Sequence, residues 1–458
     1  MSLEGAVRQT SRQLELPLRE RGESSSTTWR SGEAPTATSG DGRSGTDHLM
    51  ESVVERGNMK KALKRVRQNK GSPGVDRMTV DELPAYLVAN WQTVRAQLLD
   101  GSYQPHPVRR CEIPKSGGGV RQLGIPTVLD RLVQQAILQV LQPRFDPTFS
   151  EHSHGFRPGR RAHDAVCEAQ RYIQEGRRWV VDVDLEKFFD RVNHDVLMGK
   201  LSKRIADARL LRLIRRYLEA GMMVDGISTE RHEGTPQGGP LSPLLGNVLL
   251  DEVDKELEKR GHAFVRYADD CNVYVRSRRA GEDVMKTLRR LYERLRLRVN
   301  EAKSAVARPH ERKFLGYSFW NQRGVVRRRV APQTLAKMKE RVRQITSRTG
   351  GRNLTSVVRE LRGYLTGWKE YFRLAETQAS FRSLDGWIRR RLRMVQLKQR
   401  KSGPAAHRAL RARGVRGLDL LGAAANAHRF WATANHRALS TAMPESFFDR
   451  LGVPRLAT

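Results

Sequence analysis

Two adjacent aspartates in Tyr267-Ala268-Asp269-Asp270 are the residues of this chain whose types and spacing most clearly suggest chemistry. They lie in the predicted turn between two apolar segments, 263–266 and 271–275. Neighbouring carboxylates repel each other unless a cation neutralises them, and Mg²⁺ carrying nucleotide phosphates is a common partner of such a pair. Taken alone, the motif is more often an Asp-rich solvated turn.

A third aspartate provides the second half of the pattern. Asp184 ends the apolar segment 179–183, which is a predicted strand, and it precedes the aromatic pair Phe188-Phe189. A carboxylate at the end of one strand can meet Asp269 in the turn of a neighbouring hairpin. Together they could bridge two Mg²⁺ ions, one activating a primer 3′-hydroxyl and the other holding a triphosphate. Phosphoryl transfer needs mainly positioning and charge neutralisation, so carboxylates and basic residues suffice.

Basic and glycine-rich segments could complete such a site. Lys115 and Arg121 flank a glycine turn between two β-prone segments, so a hairpin would bring them together to bind β- and γ-phosphates. A solvated basic turn is the alternative for this segment. Proline and glycine in 235–244 precede an apolar helix, which predicts a shelf that another backbone or a base can approach closely. A simple helix entry is the alternative there.

The surrounding pattern predicts the elements that hold these residues. Up to residue 320, helices alternate with short apolar strands, which is typical of an α/β layer. The predicted strands are 179–183, 264–267, 272–275 and 314–317. After Pro332 the chain is predicted to be mostly helical. Apolar residues four apart predict one buried helix face, formed by Leu245, Leu249, Val253 and Leu257.

Charge and composition indicate the partner. The 458 residues include 84 Lys and Arg against 50 Asp and Glu, a formal net charge of +34, so nucleic acid is the expected partner. Residues 321–458 alone hold 30 Lys and Arg against 8 Asp and Glu, which predicts a separate basic module. The three cysteines are far apart, which indicates a reducing compartment. Neither a membrane span nor a signal-peptide pattern is found, so we expect a cytoplasmic protein.

These motifs, in their order along the chain, resemble those of the reverse transcriptases encoded by bacterial group II introns, over roughly residues 49–451. Asp184 with Phe188-Phe189 resembles the first catalytic motif of the family, and Tyr267-Ala268-Asp269-Asp270 resembles the second. Six motifs in the family order make coincidence negligible. The other four are Asn-Lys-Gly-Ser-Pro-Gly-Val-Asp at 69–76, Phe-Arg-Pro-Gly-Arg at 156–160, Arg-Val-Asn-Glu-Ala-Lys-Ser at 298–304 and Phe-Leu-Gly-Tyr at 314–317.

The resemblance implies roles for individual residues. Asp184, Asp269 and Asp270 would form the catalytic set that holds two Mg²⁺ ions. Phe189 would be the steric gate, a flat ring under the sugar that excludes a ribose 2′-hydroxyl and so selects dNTPs. Lys303 could protonate the leaving pyrophosphate, with an ordinary exposed lysine as the alternative. The residues implied to contact the incoming dNTP are Lys115, Arg121, Phe189, Gln237 and Lys303.

The Gly-Trp-x-x-Tyr-Phe pattern at 367–372 resembles the thumb or maturase domain of the family, which binds the intron RNA. Its aromatic residues are predicted to be core residues, with base stacking as the alternative. Many relatives end in a zinc-stabilised endonuclease with paired cysteines; no cysteine follows Cys271, so neither zinc nor second-strand cutting is expected. The predicted RNA contacts are Lys369, Arg389, Arg390, Arg391 and Arg393.

The resemblance also implies the architecture, a right-hand polymerase with α/β fingers and palm followed by an all-α thumb/maturase domain. Residues 1–47 are rich in Ser, Thr, Gly, Arg and Glu, which predicts a disordered N-terminal extension. We expect fingers and palm over 48–325, the thumb/maturase domain over 326–425, and a short DNA-contacting or closing segment over 426–458.

The predicted function is an Mg²⁺-dependent RNA-directed DNA polymerase that also binds its intron RNA as a maturase, promotes splicing, and copies the RNA from a DNA 3′-end. Its expected partners are the intron RNA, target DNA and dNTPs, with no membrane; the oligomeric state is not predicted. One alternative is a maturase scaffold with a dead polymerase site. Others are a host-recruited reverse transcriptase for DNA repair or phage defence, and an RNA-dependent RNA polymerase, which Phe189 disfavours.

Overall fold

The computed structural model of the protein describes residues 48–114, 120–224, 227–229, 231–347, 351–400 and 402–457. The predicted N-terminal extension, residues 1–47, lies outside the described residues. Internal contacts divide the chain into two compact units, the first ending at Arg308 and the second beginning at Pro309. The functional domain boundaries given above stay a prediction.

Helices surround two sheets in the first unit. Glu55 separates the first two helices with an extended backbone, and its carboxylate accepts hydrogen bonds from the amides of Gly57 and Asn58, which caps the second helix. The helices are α1 (Leu49–Val54), α2 (Arg56–Asn69), α3 (Leu83–Asp100), α4 (Val128–Phe145), α5 (Ala162–Gln174), α6 (His194–Leu201), α7 (Ala208–Glu219), α8 (Ser242–Lys259) and α9 (Arg278–Arg294). The predicted apolar face of α8 is confirmed, because Leu245, Leu249, Val253 and Leu257 are all buried.

The strands of the first unit form two four-stranded sheets. They are β1 (Val108–Pro114), β2 (Val120–Ile125), β3 (Trp179–Val183), β4 (Met222–Val224), β5 (Ile227–Thr229), β6 (Ala263–Tyr267), β7 (Asp270–Val275) and β8 (Ala305–Ala307). One sheet has the order β2-β1-β4-β5, with β1 and β4 parallel. The other has the order β6-β7-β3-β8 and is antiparallel throughout. The strands predicted at 179–183, 264–267 and 272–275 are confirmed, and all three lie in this second sheet.

Helices cover both faces of the β6-β7-β3-β8 sheet. On one face α9 packs so closely that a Cβ on Gly281 would overlap Val306 and touch Val181 and Val275. On the other face the ring of Tyr172 on α5 lies 5.9 Å from that of Tyr274 on β7. Cover on both faces explains why β3 is apolar along most of its length rather than alternating.

The second unit is a β-hairpin followed by helices. Among the described helices of both units, none is long and apolar enough to cross a membrane. The hairpin consists of β9 (Tyr317–Gln322) and β10 (Val325–Val330). The helices are α10 (Pro332–Ile345), α11 (Leu354–Tyr371), α12 (Gln378–Lys398), α13 (Gly403–Arg411), α14 (Gly417–Ala425), α15 (Phe430–Thr433), α16 (Arg437–Ala442) and α17 (Glu445–Arg450). The mostly helical character predicted after Pro332 is confirmed.

Aromatic packing joins α11 to the hairpin. Trp368 and Phe372 are buried, and the Phe372 ring lies 4.7 Å from Trp368 and 5.1 Å from Tyr317. The hydroxyl of Tyr371 donates to the Leu315 carbonyl at 3.0 Å. The core interpretation of the Gly-Trp-x-x-Tyr-Phe pattern is therefore confirmed for Trp368 and Phe372.

The strand predicted at 314–317 is wrong. Leu315 and Gly316 have φ values of 50° and 82°, which belong to a turn. Phe314 and Tyr317 exchange backbone hydrogen bonds of 2.9 Å across this turn, and the strand begins only at Tyr317. The apolar run that suggested a strand instead buries Phe314 beside the aromatic core.

Candidate active site

The strand register brings the predicted carboxylates to one end of the β6-β7-β3-β8 sheet. Val183 of β3 pairs with Cys271 of β7, so Asp184, which follows Val183, and Asp270, which precedes Cys271, lie at the same end of the sheet. Directly opposite residues of antiparallel strands have Cβ atoms about 4.5–5.5 Å apart. Two carboxylates separated by 86 positions in sequence are thus neighbours in space.

Asp269 lies in the tight turn that joins β6 to β7. Tyr267 pairs with Asp270 at the end of the hairpin, which leaves Ala268 and Asp269 as the two turn residues. Ala268 has a φ of 58°, a left-handed conformation that disfavours residues with a Cβ atom. The turn therefore holds an unfavourable backbone geometry beside the three carboxylates.

A loop after β7 and α9 fixes Asp184 and brings Lys303 to it. The Asp184 amide donates to Ser304 Oγ at 3.0 Å, and the Asn300 amide donates to the Asp184 carbonyl at 2.8 Å. Lys303 Nζ lies 3.2 Å from Asp184 Oδ2, with two thirds of the lysine side chain exposed. The structure thus brings two of the predicted site residues together as an ion pair.

One oxygen at the carboxylate end is suited to a cation. Asp184 Oδ2 is shielded from solvent and accepts no well-oriented hydrogen bond, although Lys303 approaches it as an ion-pair partner. An anionic oxygen without a hydrogen-bond donor is suited to act as a ligand of a divalent cation. Among the described residues, no three His, Cys, Asp or Glu side chains are already grouped as a metal site. The donor set fits a divalent ion, but its closure around one is a proposal.

Phe189 lies on a short 3₁₀ turn, Phe188–Asp190, just after Asp184. Its ring is 4.9 Å from that of the buried Phe188, edge to face. A Cβ on Gly246 of α8 would lie 3.1 Å from Phe188 and 3.5 Å from Phe189, so this glycine is the floor beneath both rings. Phe189 is half-buried, held from below and open on one side.

The predicted glycine-proline shelf lies against this turn. The Thr235 amide donates to the Phe189 carbonyl at 2.7 Å, and Gln237 Nε2 donates to Asp190 Oδ1 at 3.3 Å. The Gly124 amide of β2 donates to the Gln237 carbonyl at 3.0 Å. A Cβ on Gly238 would come within 2.8 Å of the Gly124 carbonyl oxygen. The predicted close approach of another backbone is confirmed, and that backbone is β2.

The predicted hairpin around the basic turn is present, with Ile113 of β1 opposite Arg121 of β2. Lys115 lies outside the described residues, and so does the side chain of Arg121. Because β2 also contacts Gln237 through Gly124, the hairpin and the shelf belong to one region of the first unit. Phosphate binding by Lys115 and Arg121 stays a prediction.

Segment 152–155, which lies beside the Ala268–Asp269 turn, is held by a cluster of Glu168 and two histidines. Glu168 of α5 contacts His152 Nδ1 at 2.6 Å and His154 Nε2 at 2.7 Å. Burial alone would raise the pKa of Glu168, but hydrogen bonds from both histidines and Tyr172 outweigh it and lower that pKa to about 2. The hydrogen bond to Glu168 raises the pKa of His152 against the opposing effect of burial. The cluster fixes segment 152–155, which runs beside the turn.

The arginines predicted to contact RNA all have partners within the second unit. Arg389 pairs with Glu445 at 2.6 Å, and Arg390 stacks on Trp431 with its guanidinium 4.0 Å from the ring centre. Arg391 donates to Thr346 at 2.9 Å, and Arg393 donates to the Met443 carbonyl at 2.9 Å. These contacts attach α12 to α10 and to the C-terminal helices. Lys369 is half-buried, and RNA contact by these residues stays a prediction.

Two features were missed by sequence reasoning. Lys60, Lys64 and Arg67 of α2 are exposed, share one helix face, and form no ion pair with a described residue. The signal was available, because no acidic residue occurs between Arg56 and Lys70. The second feature is the burial of Arg266 in β6, which the apolar pattern of that strand concealed.

Comparison with known proteins gives these motifs a family. Residues 113–319 match the family described as "Reverse transcriptase (RNA-dependent DNA polymerase)". Residues 335–414 match the family described as "Group II intron, maturase-specific domain". The chain carries a reverse transcriptase domain followed by a group II intron maturase-specific domain. The first match contains the three aspartates, Phe189, Gln237 and Lys303, and the second contains the arginines of α12.

Individual relatives agree with these two domain matches. Protein YkfC of Escherichia coli is 38% identical over 218 residues, 46% of this chain and 57% of that protein. The group II intron-encoded protein LtrA of Lactococcus lactis is 42% identical over 159 residues, 34% of this chain and 26% of LtrA. A solved chain from a partial Cas6-RT-Cas1–Cas2 complex is 25% identical at a TM-score of 0.35, and the match covers 54% of this chain and 42% of that one. The chain spans little more than half of YkfC and about a quarter of LtrA.

Proposed function

We propose that the protein is an RNA-directed DNA polymerase of a group II intron, which also binds the intron RNA as a maturase and copies it from a DNA 3′-end in the bacterial cytoplasm. The observation that carries this proposal is the register that sets Asp184 beside Asp270 and the Asp269 turn, inside the segment that matches reverse transcriptases. A right-hand layout, with fingers and palm in the first unit and a thumb in the second, goes with this proposal.

The side chains have complementary roles in the proposed reaction. Asp184, Asp269 and Asp270 would hold two Mg²⁺ ions, which when bound supply charge neutralisation at the triphosphate and at the primer 3′-hydroxyl. In the free protein Lys303 offsets the negative charge of Asp184 at 3.2 Å. Displaced from that carboxylate, its ammonium group would be placed to donate a proton to the departing pyrophosphate.

The nucleotide pocket would use Phe189 and the shelf. The half-buried ring of Phe189 is supported by Phe188 and by the floor at Gly246, so it can resist displacement by a ribose 2′-hydroxyl. Gln237, held by Asp190 and by the β2 backbone, would contact the incoming nucleotide. Lys115 and Arg121 of the β1–β2 hairpin would bind its phosphates.

Primer extension tests the proposal against the scaffold alternative. The purified protein should add dTMP to oligo(dT) annealed to poly(rA) when Mg²⁺ is present and should stop when EDTA removes it. A maturase with a dead polymerase site would bind the hybrid and show no incorporation under the same conditions. A splicing assay with the intron RNA, with and without protein, tests the maturase half separately.

The exposed cations of α2 provide the clearest electrostatic test of nucleic-acid binding. The triple variant Lys60→Gln/Lys64→Gln/Arg67→Gln should weaken RNA binding about tenfold and reduce the slope of log K against log salt by about 2–3, since each phosphate contact contributes about 0.7–0.9. Filter binding or fluorescence anisotropy at four salt concentrations measures both quantities. The arginines of α12 are less suitable, because their removal also breaks helix contacts.

A matched control removes the same charge from cations that already have partners. Arg278, Lys286 and Arg289 pair with Glu282, Asp283 and Glu301, respectively. Their triple glutamine variant should leave the salt slope close to that of the unaltered protein. Equal losses in the two triple variants would mean that only net charge matters, and α2 would then have no specific role.

A further inference from the structure

The guanidinium of Arg266 is one of the most deeply buried charged groups among the described residues. Its exposure is 0%, and its partner Asp254 on α8 is also 0% exposed. Arg266 Nε lies 2.8 and 3.0 Å from the two Asp254 oxygens, and Nη2 lies 2.6 Å from Oδ2. The carboxylate is therefore gripped by two nitrogens of the planar group, the strongest geometry that an Arg–Asp pair forms.

Stability alone does not account for such a pair. Taking both charges out of water is costly, so well-packed apolar residues of similar volume are often as stabilising as a buried ion pair, or more so. A buried pair of this kind is better explained by what else it fixes in place. The contacts of the remaining nitrogen of Arg266, Nη1, show what the pair fixes.

Nη1 connects the pair to the backbone of the carboxylate turn. It donates to the Ala268 carbonyl at 2.8 Å and to Asn247 Oδ1 at 2.9 Å. Asn247 in turn donates from Nδ2 to the Gly155 carbonyl at 2.9 Å. Ala268 is the residue with the left-handed φ of 58°, and it directly precedes Asp269. The contact is thus to the peptide whose orientation determines where Asp269 points.

The other side of the turn is closed by segment 152–155. The His154 amide donates to the Arg266 carbonyl at 2.9 Å, and the Arg266 amide donates to the His152 carbonyl at 2.8 Å. A Cβ on Gly155 would overlap the Ala268 nitrogen, so the two backbones are in direct contact. Arg266 and Asn247 therefore hold the turn against a fixed segment, and the unfavourable φ of Ala268 is maintained by these contacts.

We propose that Arg266 is a positioning residue for the reaction, which with Asp254 and Asn247 holds the Ala268–Asp269 peptide in the orientation that aims the Asp269 carboxylate at the metal ions. This inference rests on the proposed polymerase function for its catalytic consequence, but its structural claim about the turn stands separately. Arg266 touches no substrate. Its effect passes through the backbone of the residue that precedes Asp269.

The deciding experiment replaces the buried pair by apolar residues. Arg266→Met/Asp254→Leu should still fold, with a moderately lower melting temperature, because the charged pair is replaced rather than broken and only the Asn247 and Ala268 oxygens lose their donor. Amide exchange followed by mass spectrometry on the free protein should become about tenfold faster in the peptide spanning 263–275. Primer extension should lose about 10²-fold in kcat, as expected for misplacement of a catalytic group by about 1 Å. The Mg²⁺ concentration for half-maximal rate should rise, with little change in the KM for dNTP at saturating Mg²⁺.

A second variant and a control keep the test informative. Arg266→Lys is the variant to use if the double variant does not fold. It retains a charge beside Asp254, but its single nitrogen cannot contact Asp254, Asn247 and the Ala268 carbonyl at once. The same changes in amide exchange and kcat are therefore expected. The control is Arg209→Met/Glu51→Leu, which removes a bidentate pair with two 2.8 Å contacts between α1 and α7. It should leave the exchange of 263–275 and the rate unchanged.

Failure of the inference is separable from failure of the proposed function. Unchanged exchange in 263–275, or faster exchange with a normal kcat and normal Mg²⁺ dependence, would overturn the positioning role. If the unaltered protein makes no DNA with any divalent cation, the proposed function fails, and the exchange measurement on the free protein still decides whether Arg266 holds the turn.

Discussion

Replacing Asp269 by alanine should abolish DNA synthesis while leaving nucleic-acid affinity intact. The variant removes one of the three carboxylates that the strand register brings to one end of the sheet. It thereby removes part of the negative charge that would balance two divalent ions. We expect the rate of primer extension to fall by at least about 10³-fold. RNA affinity should be unchanged or slightly higher, because the change makes the protein more positive.

An exposed aspartate in the same unit provides the matched control. Asp283 of α9 is 64% exposed on its side chain and lies 3.6 Å from Lys286 as a surface pair. Asp283→Ala changes net charge by the same amount and should extend primers at the normal rate. A normal rate for Asp269→Ala, measured beside this control, would remove Asp269 from the catalytic set.

Replacing Phe189 by alanine should allow ribonucleotides to be incorporated. The ring packs against Phe188 and lies over Gly246 of α8, and alanine would remove it from the position where it would meet a ribose 2′-hydroxyl. Discrimination between dNTP and rNTP should fall by about 10- to 100-fold, mainly through a lower KM for the ribonucleotide. Single-nucleotide incorporation with each dNTP and rNTP pair measures the ratio.

The conservative variant distinguishes a gate from general damage to the pocket. Phe189→Tyr retains the flat ring and should keep sugar discrimination near that of the unaltered protein. Both variants should be compared by thermal melting, because the Phe188–Phe189 contact also contributes to packing. Unchanged discrimination in Phe189→Ala would show that another group excludes the 2′-hydroxyl.

The arrangement around the turn was largely predictable because local patterns specify it. Two apolar segments separated by Tyr267-Ala268-Asp269-Asp270 leave little choice but a hairpin, and an apolar strand that ends in Asp184 matches it in length. The close approach at Gly238 was predictable for a similar reason, since only glycine permits another backbone so near.

The remaining features depend on partners that are remote in sequence. The sequence around Arg266 does not indicate that its partners are Asp254 and Asn247. The buried pair forms only when β6 packs against α8. Arg391 and Arg393 look like phosphate ligands in sequence, yet their guanidiniums reach Thr346 and the Met443 carbonyl. The segment 314–317 has the composition of a strand, but tertiary packing of Phe314 and Tyr317 turns it into a bend.

The position of β8 has a consequence for synthesis on the ribosome. Residues 305–307 complete the sheet beside β3, and the loop just before them supplies the Asn300 and Ser304 contacts to Asp184. A nascent chain that has emerged only as far as β7 can pair β3 with the hairpin but lacks these contacts. The carboxylate end of the sheet is therefore complete only after residues 300–307 have been made. A fragment that stops before residue 300 should therefore lack the contacts that hold the backbone of Asp184.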